Sequence, residues 1–408
     1  MQYEPLDLYN LDAGLTDAQR ALRDRVRAWV DDRFLPHIQQ HWRDATFPLD
    51  LAPEMAELGC FGATFSGWGC AGHSPLEYGI IMRELERGDS GLRTFASVQG
   101  ALAMHAIHDF GSDAQRDHWL PLLSGGRSLA CFGLTEPDFG SDPGSLHSQA
   151  RRTADGWVLD GAKRWIGHAT VADVAIVWAR VVGDPDIDPT SPKAIRGFLV
   201  DTRSPGYHAR LMEGKLSLRA SLTGEIELKG CAVGPDALLP KTRGLGSALS
   251  CLNHARYGIA WGAIGSAQAC FDEARRHALK RRQFGHPLGA FQMVQDRLAR
   301  MATDITRAQL VAWQLAELKA SGRATPTQVS LAKWSNVDIA LQVAREARDL
   351  LGAVGILDDS QSMRHMCNLE SVATYEGTRN MHLLVLGREL TGLSAFSPQE
   401  APPPSYEG

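Results

Sequence analysis

The chain has 408 residues, 44% of them hydrophobic and 22% charged, with a net charge of −5. That length exceeds one typical core, so two or three domains are expected. The mildly acidic balance, with Lys and Arg scattered, gives no sign of nucleic-acid binding, and no apolar run is long enough to cross a bilayer.

The opening Met1-Gln2-Tyr3-Glu4-Pro5 lacks the basic-then-apolar profile of a signal peptide. Seven cysteines, odd in number and without CxxC spacing, fit a reducing compartment, expected to be the cytoplasm, and no structural metal.

Residues 1–130 read as a helical domain. Thr16 and Gln19 form a capping box, and Leu15, Ala18, Leu22, Val26, Trp29 and Val30 share one helical face. Pro36 interrupts that helix or ends its first part. Gly59 to His73 is glycine-rich and reads as loop. Helical spacing returns from Pro75 to Phe110, and Gly111-Ser112-Asp113 opens another helix with Ser112 or Asp113 as its cap.

Residues 131–240 hold short β-rich runs between turn residues. Trp157-Val158-Leu159, Asp160-Gly161 and Ala162 to Ile166 predict a hairpin with a type I′ turn. Val174 to Val181 and Gly197 to Val200 predict apolar strands, and Glu225 to Leu228 a half-exposed one. A small antiparallel barrel or sandwich is expected. Residues 241–396 return to helix over about Gly246 to Arg282, Leu288 to Ser321, Thr325 to Leu351 and Ser360 to Leu393, which predicts an antiparallel four-helix bundle. Residues 397–408 are expected to be a tail. The fold class is α+β, mainly α.

Several motifs offer chemistry, each weakly. Tyr375-Glu376-Gly377-Thr378 sets a carboxylate beside a glycine between two helical segments, which suits a catalytic base and an ordinary cap charge alike. Phe132 to Asp142 is loop-like, with hydroxyls and backbone amides that can hold a heterocycle and a pyrophosphate. Taken alone, a surface turn between domains explains it better. Arg281 and Phe284 can meet a phosphate and an adenine, but a cationic helix end with a glycine stop accounts for them more simply. Asp349 to Gly355 reads the same way. Arg93 carries a fork of donors suited to a carboxylate, with Glu86 on the same face if the helix runs on that far. A snorkelling surface arginine is the plain alternative, for Arg256 as well.

Their order says more than any one of them. Phe132 to Ser141, Trp165-Ile166, Leu216 to Thr223, Asn253 to Gly258, Arg281 to Gly285, Leu351 to Gly355 and Tyr375 to Thr378 resemble, in sequence and spacing, the acyl-CoA dehydrogenase family. The resemblance runs from about Leu15 to Phe396. It is closest to the glutaryl-CoA dehydrogenase branch, on Ser90 to Arg93, Cys131 to Pro137, Ala255 to Gly262 and Thr374 to Thr378.

The resemblance implies the acyl-CoA dehydrogenase fold, a homotetramer and one FAD per subunit. The flavin would lie against Phe132, Leu134, Thr135, Gly140, Ser141, Trp165, Ile166 and Gly167. Arg281, Phe284 and Gln292, with Asp349, Leu351, Gly352 and Ala353 of a neighbouring copy, would hold the pyrophosphate and adenosine, and Thr378 would also touch the cofactor. The thioester and its pantetheine arm would pass Ser141, Leu249, Asn253, Arg256, Gly377 and Phe396. Glu376 would remove the α-proton, the enolate held by its backbone amide and a flavin hydroxyl, and the β-hydride would pass to the flavin. Arg93, with Glu86 and Thr94, would bind a distal carboxylate, whose loss as CO2 gives a crotonyl thioester. Electrons would leave through an electron-transferring flavoprotein.

Three departures stand out. The branch's Thr or Ser after Trp-Ile, a donor to the flavin, is Gly167, followed by His168 where the branch has Asn; slowed reduction, redirected chemistry and substitution by His168 are the three outcomes left open. Its Gly-Gly-Asn-Gly is Gly352-Ala353-Val354-Gly355, and its His-Asp after Glu-Gly-Thr is Arg379-Asn380. Two other readings stay open: a paralogue acting on another acyl-CoA or a carrier-protein-bound acyl group, redox-neutral chemistry included, and a non-catalytic paralogue. An isolated base argues against the last.

Overall fold

Local signals set most helix ends. In the computed structural model, which describes residues 3–396, α1 (Asp17–Trp29) starts on the Thr16/Gln19 capping box. A wider turn at Val30–Phe34 joins it to α2 (Leu35–Asp44), so Pro36 falls in a first turn, where its missing N–H leaves no bond unmade. After α3 (Ala52–Glu57) and the short pair β1 (Ser66–Gly67) and β2 (Cys70–Ala71) comes α4 (Pro75–Gly88). Asp89 ends α4 and at once caps α5 (Ser90–Ala96), accepting from the Gly91 N–H at 2.7 Å. α6 (His105–Phe110) follows, and Ser112 is the cap of α7 (Asp113–Ser124). The expected tail, 397–408, lies outside the described residues.

The β region comprises β3 (Ala130–Gly133), β4 (Gln149–Thr153), β5 (Gly156–Gly167), β6 (Val174–Val182), β7 (Ile195–Asp201), β8 (Tyr207–Leu211) and β9 (Thr223–Val233). One edge of β6 takes β3 along Val174–Val177 and β4 along Arg180–Val182, both parallel; β7 pairs antiparallel on the other edge. β5, β9 and β8 continue the row from β4. The sheet is therefore mixed where only antiparallel pairs were expected. The long connection between β3 and β4 lets both run with β6.

Asp160-Gly161 is not a turn. β5 runs through it with a bulge, and the tight turn falls between Thr153 and Gly156. Glycine is needed at 161 because Ser148 crosses it where a Cβ would stand, while Asp160 accepts from the Gly230 N–H at 2.7 Å. Along β6 alternate residues feed two cores. Val174, Ile176 and Trp178 face the core shared with the helices; Ala175, Val177 and Ala179 face a second core within the sheet region.

The chain then forms α8 (Leu245–Lys280), a two-residue pair β10 (Arg282–Gln283) and β11 (His286–Pro287), α9 (Gln292–Ala320), α10 (Pro326–Leu350), α11 (Gln361–Thr374) and α12 (Arg379–Thr391). The segment expected as one helix from Ser360 to Leu393 is thus two. Glu376 and Gly377, at φ +55° and +98°, leave the helical region and break it. No helix among the described residues is long and apolar enough to cross a membrane.

α4 and α8 pack closely because α8 and α4 place glycines at the contact. Gly79 faces the Trp261 ring, Gly265 the Arg83 carbonyl and Gly262 the Glu86 carboxyl, each without room for a methyl group. Gly262→Ala is expected to destabilise the fold by about 1–3 kcal/mol through overpacking. Differential scanning calorimetry checks this; an unchanged melting temperature would contradict the packing described.

Candidate active site

Four residues between α11 and α12 turn the chain, and Glu376 lies among them. A non-glycine residue at positive φ needs support from its surroundings. Arg256 Nε donates to the Glu376 carbonyl at 2.6 Å, and Lys333 Nζ donates to the carbonyls of Tyr375 and Gly377 at 3.0 and 2.8 Å. A Cβ on Gly377 would press on the His382 ring and the Arg256 guanidinium at 3.0–3.3 Å, so the loop has no slack there. Burial, then Lys333 and Arg256, push His382 down to about 3 and keep it neutral.

The Glu376 Oε2 atom is out of solvent and has no hydrogen-bond partner among the described residues. Burial pushes its carboxyl up to about 6, against the opposing pull of Arg93, Arg256 and Lys333. A carboxyl that is free of partners and titrates near neutrality is fitted to move a proton.

Arg93 lies close by, wholly buried. Its Nε donates to Glu86 Oε2 at 2.7 Å, and one terminal nitrogen donates to the Tyr375 hydroxyl. The other terminal nitrogen has no partner among the described residues. Glu86 also accepts from Ser90 Oγ at 3.0 Å, and Thr94 Oγ1 lies 3.4 Å from the Tyr375 hydroxyl. The helix does break between Glu86 and Arg93, yet the pair meets, because Asp89 restarts it immediately. Asp89 is itself held by Arg364 Nε at 3.0 Å and Asn368 Nδ2 at 2.8 Å, and Asn368 Oδ1 accepts from the Leu218 N–H at 2.8 Å. Further buried polar atoms without partners among the described residues are the Tyr78 hydroxyl, Ser97 Oγ and Asn253 Oδ1. Leu249 and Phe396 are exposed.

The loop after β3 is fastened from beneath. Glu136 takes Lys163 Nζ at 2.8 Å and the N–H groups of His147 and Ser148 at 2.6 and 2.9 Å. Phe132, Leu134 and Ile166 bury their side chains in this chain and offer only backbone, and the Thr135 carbonyl accepts from the Arg164 N–H. Gly140 and Ser141 stay exposed, with open space where a Gly140 side chain would be. Trp165 is 58% exposed at φ +64°, a flat apolar face beside that loop. A Cβ at Gly167 would stand 3.1 Å from Val98. His168 does not replace the missing hydroxyl: its ring is buried, Nδ1 lies 3.1 Å from the Ala130 carbonyl, and burial pushes it down to about 4.

Arg281, Gln292 and Phe284, the last 90% exposed, sit around the α8–α9 turn. Asp349 pairs with Arg297 at 2.8 Å, Gly352 and Ala353 are exposed, and Leu351 is buried in its own bundle. The Thr378 hydroxyl caps α12, accepting from the Met381 N–H at 3.3 Å. Lys333 and Tyr375 were not among the expected site residues. A signal for Lys333 was there: it falls on the stripe of α10 made by Val329, Ala332, Asn336, Val337 and Ala340, where a lysine is out of place.

Residues 16–127, 131–231 and 242–391 match, in turn, the N-terminal, middle and C-terminal domains of acyl-CoA dehydrogenase. The chain belongs to the acyl-CoA dehydrogenase family. It is accordingly an oxidoreductase, and its cofactor is FAD. A crystal structure of a glutaryl-CoA dehydrogenase from Mycobacterium smegmatis, in complex with FADH2, is similar with a TM-score of 0.93 and 43% identity, over 97% of this chain and 100% of that one. A glutaryl-CoA dehydrogenase of Desulfococcus multivorans is 32% identical over 94% of this chain and 99% of its own. The mitochondrial short-chain specific acyl-CoA dehydrogenase of Rattus norvegicus is 31% identical over 92% and 90%. Trp165 and Phe284 each leave a flat apolar face uncovered in this chain, and the space over Gly140 is open.

Proposed function

We propose that this protein oxidises and decarboxylates glutaryl-CoA to crotonyl-CoA and CO2, with Glu376 as the base and Arg93 as the anchor of the distal carboxylate. The observation that carries this reading is the unused donor of the buried Arg93, beside the Tyr375-Glu376 loop. A monocarboxylic short-chain substrate has no group for that donor. The similar relatives include both substrate classes, with the Mycobacterium smegmatis glutaryl-CoA dehydrogenase at 43% identity and the short-chain enzyme of Rattus norvegicus at 31%, so the relatives support the same reading as Arg93.

Bound FAD supplies the acceptor for the β-hydride. Phe132, Leu134, Thr135, Gly140, Ser141, Trp165, Ile166, Gly167 and Thr378 would line its flavin side. Arg281, Phe284 and Gln292, with Asp349, Leu351, Gly352 and Ala353 of a second copy, would hold the rest, Leu351 through its backbone alone. Ser141, Leu249, Asn253, Arg256, Gly377 and Phe396 would form the thioester channel. Glu376, poorly solvated, takes the α-proton and keeps it in the pocket. The unsaturated product is a vinylogous acid whose carboxylate leaves as CO2, and the proton on Glu376 is then near enough to return to the remaining carbanion. Glu86 matters to that departure. It accepts from Arg93 Nε at 2.7 Å, so the loss of a negative carboxylate as neutral CO2 does not leave the buried guanidinium without a partner.

Exposed Val354, Ile356 and Leu357 beside Gly352 and Ala353 support an assembly of copies, a homotetramer in this reading, with an electron-transferring flavoprotein as electron acceptor. The test is to mix the FAD-loaded protein with glutaryl-CoA and follow flavin absorbance and released CO2. Bleaching with stoichiometric CO2 is expected. Bleaching without CO2, or bleaching by butyryl-CoA alone, would overturn the assignment.

A further inference from the structure

Lys333 is 1% exposed, on the apolar face of α10. An ammonium persists in such a place only where bonds replace its water. Its hydrogen bonds are to two main-chain carbonyls, Tyr375 and Gly377, and Arg256 holds the carbonyl between them. Three consecutive carbonyls around Glu376 are therefore all bound by cations, from two other helices. The charged and titratable groups that act on Lys333 are Glu376, Arg256, Arg93 and Glu86, with His382 against the same loop.

We propose that Lys333 is a positioning residue for the reaction: its ammonium holds Glu376 in the left-handed conformation that the site requires, and its charge favours the ionised base. This rests on Glu376 being the base, but not on the identity of the acyl chain. Without Lys333 the part-buried carbonyls of Tyr375 and Gly377 lose the donor it gives them, and Arg256 alone is left as a cation on the carbonyls of the loop. The two effects are separable, because a neutral donor serves the first and not the second.

The test uses FAD-loaded Lys333→Met, Lys333→Gln and Lys333→Arg. Hydrogen exchange read by mass spectrometry over residues 372–380 is expected to be roughly tenfold or more faster in K333M. It should stay near wild type in K333R, with peptides of α8 and α9 unchanged in both. Flavin reduction against pH should show an acid limb near pH 6 in the wild type, from Glu376, whose carboxyl is pushed up to about 6. Removing a cation disfavours the carboxylate, so the limb should move up by roughly one pH unit in K333M and K333Q and stay in place in K333R. Wild-type exchange in K333M, or an unmoved limb in the neutral variants, overturns the proposal. Should the neutral variants not fold, K333R decides it: loss of loop protection or a displaced limb in a folded, FAD-loaded K333R overturns it equally, and retention of both supports it. If glutaryl-CoA fails to bleach the wild type, the substrate reading falls and the exchange measurement still judges Lys333.

Discussion

Glu376→Gln is expected to lower the rate of flavin reduction by at least roughly 100- to 10,000-fold while FAD stays bound. The amide matches the carboxyl in shape but cannot take a proton. The backbone should not move, because Arg256 and Lys333 bind the carbonyls of the loop and not the carboxyl. Loss of the anion leaves Arg93, Arg256 and Lys333 with less compensation. Lys333, which burial pushes down to about 7, can answer by losing its proton, so the variant should still fold. Stopped-flow absorbance with glutaryl-CoA, together with the flavin content of the purified protein, checks both halves. Turnover within tenfold of the wild type would remove Glu376 from the mechanism.

Arg93→Leu should act on substrate choice. Truncating one member of a buried, hydrogen-bonded charge pair costs about 2–5 kcal/mol, or roughly 30- to several-thousand-fold in kcat/KM for a ligand that used it. That loss is expected for glutaryl-CoA and much less for butyryl-CoA. The single change also takes from Glu86 its guanidinium partner and leaves it the Ser90 hydroxyl as hydrogen-bond donor among the described residues, so a buried carboxyl group would be left facing an ω-carboxylate. The double variant Arg93→Leu/Glu86→Gln removes this complication and should show the same preference with better stability. Equal losses for both substrates in the double variant would contradict a distal-carboxylate role.

Much of the fold could be read from the chain because its signals are local. The caps at Thr16, Ser112 and Thr325 are side chains bonding to backbone three residues on, and all three start helices as expected. The readings that failed depend on contacts distant in sequence. Asp160-Gly161 has the composition of a turn, but the glycine is there to let Ser148 pass. The parallel pairs of β6 are set by how β3 and β4 cross over, which alternation of residue types does not encode. Glu376 and Arg93 were legible through spacing and family resemblance. What that spacing does not convey is that Arg93 keeps one donor free, that His168 turns inward, or that a lysine 43 positions before Glu376 holds its loop.

Asp89 separates two helices, caps the second, and binds Arg364 and Asn368 on α11, while Asn368 reaches Leu218 between β8 and β9. One carboxylate thereby joins parts of the chain that match three separate domain families. A fragment ending before residue 125 would lack Arg364 and Asn368, and a fragment beginning at 242 would lack Asp89, so each would lose the bonds that tie α11 to the start of α5. The three regions are consequently not exchangeable modules. Recombination between distant relatives would have to carry 89, 364 and 368 together, and a chimera that splits them should be recovered only as aggregate.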